Sequence, residues 1–145
     1  MANKIIKFEI VTPEKIVLKE EIAQVTVPTK QGEITVLPGH IPLVAGLMPG
    51  VIEAVKAGNE REIMSVSGGF IEVLKNKVVI LADTAERANE INEDRIKKAR
   101  DEAEKTKSET RHFDQERFAN INAKIAKELA RTRAVKRWKK IRSVE

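Results

Sequence analysis

Histidine and cysteine, the side chains that most often carry nucleophilic, acid–base or metal chemistry, are scarce in this sequence. His40 and His112 lie in different segments and there is no cysteine. A His-rich metal site, a thiolate zinc site, an iron–sulfur cluster, a Cys nucleophile and a structural disulfide therefore lack donors. No Gly-rich loop ends in Lys-Ser/Thr to cradle a phosphate, no dinucleotide fingerprint follows a strand, and no helical metalloprotease motif is present. Carboxylates are abundant, but no spacing singles out a pair for acid–base work. No catalytic residue and no metal ligand is assigned, and no cofactor is required. What remains is electrostatic: Arg117 to Arg142 hold ten basic residues against the single acid Glu128. Such a field favours an acidic protein, nucleic acid or anionic lipid.

Behind that charge stand two unlike segments, meeting near Thr84. Residues 1–85 carry nine Lys/Arg against ten Asp/Glu, a net of −1, whereas 86–145 carry eighteen against twelve, a net of +6. All Gly and Pro fall in the first segment. There, short β-branched runs recur between turn signals: Ile5 to Val11, Ile16 to Leu18, Ile22 to Val27, Glu33 to Leu37, Val51 to Val55, Ile63 to Val66, Phe70 to Leu74 and Val78 to Ala82. The spacing predicts an all-β body. Ala23, Val25 and Val27 alternate with polar or proline positions, as one face toward a core requires, while the wholly apolar Val78 to Ala82 predicts a strand covered on both sides. Two packed sheets accommodate both patterns. Pro38-Gly39, Pro49-Gly50 and Ser67-Gly68-Gly69 supply the turns, and His40, following the first of them, is expected as an exposed turn side chain. The body has no Trp or Tyr to stack nucleobases, so no nucleic-acid partner is expected; the rival reading, a nucleic-acid-binding module, would rest on the basic helix alone and on salt-sensitive binding. The N-terminus lacks the apolar run of a signal peptide, and nowhere do about 18 consecutive apolar residues occur to span a bilayer.

The second segment predicts a helical hairpin. Asn92 followed by Glu93 and Asp94 forms an N-cap with acids in the first turn, and Ile91 and Ile96 take the two positions of a hydrophobic staple. The pattern recurs at Asp114, with Phe113 and Phe118. Ile96, Ala99 and Ala103 face Phe118, Ile121, Ile125 and Leu129 across the expected seam. After Leu129 the apolar stripe drifts through Val135, Trp138 and Ile141, so the second helix is expected to overhang the first by roughly ten residues, about 15 Å. Trp138 among Arg133, Lys136, Arg137, Lys139 and Lys140 then predicts an exposed docking surface for an acidic partner. The architecture expected is α+β: a β-sandwich over residues 1–85 followed by a two-helix hairpin over 86–145.

Several blocks in order, GEITVLPGHIPLV from Gly32, MPGVIEAVK from Met48 and SGGFIEVLKNKVVILADTAERA from Ser67, and then the helical arm, resemble the epsilon subunit of bacterial F-type ATP synthase over almost the whole chain. The resemblance implies a noncatalytic central-stalk rotor subunit on the cytoplasmic face of the bacterial membrane, attached only through the complex. Its implied partners are the gamma subunit, the c-subunit ring, and the alpha and beta subunits of the catalytic head. Glu33 and His40 match positions near the c ring and gamma. The arm of the family either folds beside the sandwich or extends into the head, where it opposes ATP hydrolysis; the basic residues Arg117, Lys124, Lys127, Arg131, Arg133, Lys136 and Arg137 suit that role. Some members bind ATP as a regulatory ligand in the folded arm, through Ile-Asp, two variable residues and Arg-Ala. Here Asn92 replaces the acid and Ile96 the Ala, leaving Ile91 and Arg95 as matches, with Glu86, Arg133 and Arg137 as further candidates. An ATP-sensing arm and a purely structural hairpin both remain open.

Overall fold

The computed structural model describes residues 5–110 and 114–144. His112 and the Phe113 half of the second staple lie outside these residues. Ten strands come first among the described residues: β1 (Ile6–Val11), β2 (Ile16–Ile22), β3 (Gln24–Thr29), β4 (Gly32–Val36), β5 (Leu43–Leu47), β6 (Gly50–Val55), β7 (Arg61–Val66), β8 (Gly69–Leu74), β9 (Lys77–Ala82) and β10 (Ala85–Arg87). A 3-10 turn at Ala88–Glu90 leads into α1 (Glu93–Glu109) and α2 (Gln115–Val144). The sheet runs β10-β7-β6-β3-β5-β8-β9-β1-β2, with β4 attached to β3. Every pairing is antiparallel except that of β1 with β9. The path curls until the end of β2 approaches the end of β6: the N–H of Ala23, just past β2, donates to the Val55 carbonyl at 2.7 Å, and Lys56 reaches Glu20 at 2.9 Å.

Alternate residues of each strand meet in one core. Phe8, Ile10, Val25, Val27, Ile52, Met64, Ile71 and Ile80 are among its fully enclosed side chains, each worth roughly 1.5–3 kcal/mol in burial. Val25 and Val27 point inward as their alternation predicts. Val78 to Ala82 does not behave as predicted: Val78, Ile80 and Ala82 are buried, but Leu81 is 52% exposed. One face of β9 is uncovered. The strand covered on both sides is β7, where Ile63, Met64, Ser65 and Val66 are all buried because α2 lies over its outer face. Ser65 interrupts that run, so the sequence carries a weaker signal there than at β9. The strand β5 was not expected, since Pro42 and Gly46 break the β-branched pattern, and the expected run Ile22 to Val27 divides at Ala23 between β2 and β3.

Both helix starts form as their caps dictate. Asn92 Oδ1 accepts from the Arg95 N–H at 3.1 Å, and Asp114 Oδ1 from the Arg117 N–H at 3.1 Å. Ile96, Ala103 and Ile121 are buried in the seam, and the Lys107 ammonium sits 5.3 Å from the Phe118 ring centre. At 30 residues against 17, α2 outruns α1 by 13. The overhang is not free.

Candidate functional site

The sandwich and the arm meet along the outer faces of β6 and β7. Ile63 of β7, Ala88 and Ala134 are buried together, with Val51, Ile91, Trp138 and Ile141 packed around them. This corrects the expectation of an exposed Trp138 surface: the drift of the apolar stripe after Leu129 turns α2 away from α1 and onto the sheet. Small residues, Ala130 and Ala134 at zero exposure, let the helix backbone approach closely. Arg142 covers the indole, its guanidinium 5.0 Å from the ring centre.

Ion pairs flank this small apolar patch. Arg131 Nε donates to Glu86 Oε2 at 2.7 Å while its Nη1 donates to both oxygens of Glu128, at 3.2 and 3.0 Å. The Arg131 and Glu128 side chains are only 16% and 9% exposed, Glu86 38%. Arg137 reaches Glu53 at 3.4 Å, and Lys139 pairs with Glu93. Exposed pairs such as the last contribute about 0–1 kcal/mol. The half-enclosed Arg131 group matters more, because losing it leaves a buried carboxylate uncompensated.

The candidate nucleotide residues do not converge on one ligand-ready set. Asn92 is engaged as a cap, Ile91 packs in the apolar patch, and Arg137 serves Glu53. Arg95 and Arg133 are exposed. The base that faces Glu86 is Arg131, which sequence reasoning placed only in the basic surface. An acid three residues before an arginine, Glu128-x-x-Arg131, was the available signal. Beside Glu86 a cleft of about 350 Å³ is lined by Glu14, Asp83, Lys15 and Lys127 among others, a lining with more acid than a phosphate chain favours. Of the remaining basic candidates, Arg117, Lys124, Arg133 and Lys136 are exposed and Lys127 is half-buried.

Glu33 is exposed on β4 opposite Pro28, near the turn that joins β3 to β4. His40 lies beyond the other end of β4 and is half-buried, where an exposed side chain was expected; its Nδ1 is 2.7 Å from the Ile41 carbonyl. The two residues are thus held at opposite ends of one strand.

The other outward face of the sheet carries a bare apolar patch, interrupted by the exposed Glu72, which stands in register with Val44. Val44 of β5, Phe70 of β8 and Leu81 of β9 are 71%, 58% and 52% exposed, and Phe70 stands in register with Leu81 on one side and Gly46 on the other. No sequence pattern distinguished these side chains from core residues.

A further charged group ties β10 to the sheet: Arg87 lies 3.6 Å from Glu62 and 4.0 Å from Glu20. Burial pushes the Glu62 carboxyl above its usual range, with Arg87 and Lys56 opposing the shift. The folded chain therefore binds a proton that the unfolded chain has already released, and stability from this group rises as pH falls through the raised value toward the ordinary one. Urea unfolding at pH 7 and pH 5 should show the wild type gaining on Glu62→Gln at the lower pH; parallel pH profiles would contradict the shift.

Comparison with known proteins points in one direction. The family described as ATP synthase, Delta/Epsilon chain, beta-sandwich domain matches residues 5–88. The ATP synthase epsilon chain of Chloroflexus aggregans is 50% identical over 98 residues, covering 68% of this chain and 70% of its own length. That of Nitratidesulfovibrio vulgaris is 42% identical over 131 residues, covering 90% and 96%. Among solved structures, a chain in the cryo-EM structure of Euglena gracilis mitochondrial ATP synthase, OSCP/F1/c-ring, superposes with a TM-score of 0.77 at 25% identity, over 90% of this chain and 81% of that one.

Proposed function

The chain belongs to the ATP synthase delta/epsilon family, and from that premise we propose that it is a noncatalytic rotor subunit in the central stalk of the F-type enzyme. In this reading residues 1–85 form the seat, coupling the gamma subunit to the c-subunit ring, and residues 86–145 form an arm that opposes ATP hydrolysis when extended toward the alpha and beta subunits. The protein is held at the cytoplasmic face of the bacterial membrane by the complex. The observation that carries the reading is the bare apolar patch of Val44, Phe70 and Leu81. An exposed apolar patch with a complete core behind it suits a partner's seat, and this reading assigns gamma to it.

The folded arm is one of two states of this subunit. It is held by Glu86 and Glu53, carboxylates of the sheet that pair with Arg131 and Arg137 of α2; ATP as a regulatory ligand would have to draw Arg95 and Arg133 together with Glu86. On release, Arg131 and Arg137 leave Glu86 and Glu53 and become available to acidic surfaces of the catalytic head, whereas Glu128 travels with Arg131 on the same helix.

Reconstitution with the other subunits tests the division of roles. Phe70→Asp should fold, since the side chain is exposed, but assemble at least tenfold more weakly. Ending the chain after Ala88 should preserve assembly, because the main core lies within residues 6–82, and should raise ATP hydrolysis. Unchanged assembly for the first variant and unchanged hydrolysis for the second would remove the seat and the arm from this proposal respectively.

A further inference from the structure

The strand β4 pairs with β3 and, among the described residues, with no other strand. The direction of its unused backbone groups follows from the register. On the far side of β3 the Met48 N–H donates to the Pro28 carbonyl and the Lys30 N–H to the Gly46 carbonyl, both at 2.9 Å. The groups of Pro28 and Lys30 therefore point away from β4. By the two-residue alternation of an antiparallel ladder, those of Thr29, Val27 and Val25 point toward it and pair with Gly32, Ile34 and Val36. Glu33 and Thr35 stand between, opposite Pro28 and Thr26. Their N–H and C=O groups project from the open edge. Pro28, which has no N–H, fits its place in a pair that exchanges no hydrogen bonds.

This edge is lightly guarded, by its five-residue length and the single charge of Glu33. The strand Gly32–Val36 reads GEITV, without Lys, Pro or a bulge. Leu37 and Ile41, both exposed, extend apolar surface just beyond it. We propose that β4 is a strand-addition site, where an extended segment of a neighbouring ATP synthase subunit lies along Glu33 to Thr35 as a further strand. The segment carries Lys or Arg opposite Glu33 and an apolar side chain toward Leu37. A second copy of this chain is disfavoured, since it would bring two Glu33 carboxylates onto one short ladder. The inference rests on the reading of the protein as a synthase subunit.

The test compares hydrogen exchange of the peptide spanning residues 32–36 in the free full-length chain and in the enzyme reconstituted from all subunits. Exchange there should slow at least tenfold on assembly. Thr35→Pro deletes an outward N–H, which an edge strand tolerates, and should weaken incorporation at least tenfold. Thr35→Val keeps the N–H while losing the hydroxyl bond to Thr26, and should incorporate normally. If wild type incorporates without slower exchange, the site is refuted even should the proline variant fail to fold. Slow exchange already in the free chain at high concentration would assign the edge to a second copy and overturn the proposal. Failure of the wild type to incorporate at all would instead overturn the functional reading on which the site depends.

Discussion

Gly69→Ala should leave little folded protein. Gly69 adopts φ +128°, and a Cβ built there would stand 2.1 Å from the Leu81 carbonyl oxygen and 2.9 Å from the Ala82 Cα. Those atoms belong to β9, whose backbone is held by β8 on one side and β1 on the other, so the neighbour cannot yield. The penalty combines an unfavourable backbone region with a clash against a fixed ladder, and should exceed about 4 kcal/mol, a large share of the 5–15 kcal/mol that holds a typical domain together. Gly58→Ala is the contrast: nothing lies within 4 Å of its Cβ and its φ is not positive, so the change should stay within about 0.5 kcal/mol. Urea unfolding of both variants checks the claim, and a Gly69→Ala midpoint close to that of wild type would refute it.

Arg131→Ala should undock the arm while the sandwich stays folded. The substitution strands Glu128 at a buried position and leaves Glu86 without its partner. Breaking a fully buried pair costs about 3–5 kcal/mol; the exposure of Glu86 reduces this to about 2 kcal/mol, enough to favour release because few large apolar side chains bind the arm. Trp138 is the only tryptophan and lies in the interface, so release should shift its emission to the red and open it to a soluble quencher. In the reconstituted enzyme Glu86→Gln, which weakens docking while keeping Arg131 for the catalytic head, should lower ATP hydrolysis, opposite in sign to the truncation after Ala88. An unchanged quenching constant would show that the apolar patch alone holds the arm.

The two glycine-rich and acidic elements behind these predictions were unequally legible. Ser67-Gly68-Gly69 announced a turn, but not that β9 would pass within a carbonyl's reach of Gly69. Arg131 was marked only by Glu128 three residues before it, since its partner on the sheet, Glu86, lies 45 residues away. The bare patch of Val44, Phe70 and Leu81 was illegible for a related reason: an apolar residue in a strand reads the same whether a layer covers it or a partner will.

What the sequence by itself determined is whatever closes within a turn or two of chain. The caps at Asn92 and Asp114, the turn glycines, the inward alternation of Val25 and Val27, and the neutral body followed by a basic arm all depend on neighbours a few residues apart, and they form as expected. The tertiary structure decided what meets across long separations. It covered β7 rather than β9, placed Trp138 beneath Arg142 against the sheet, gave Arg131 to Glu86, and left β4 with an open edge. Pairing between distant segments depends on which faces remain uncovered after the core has closed, and that is a property of the whole packed fold rather than of any local stretch.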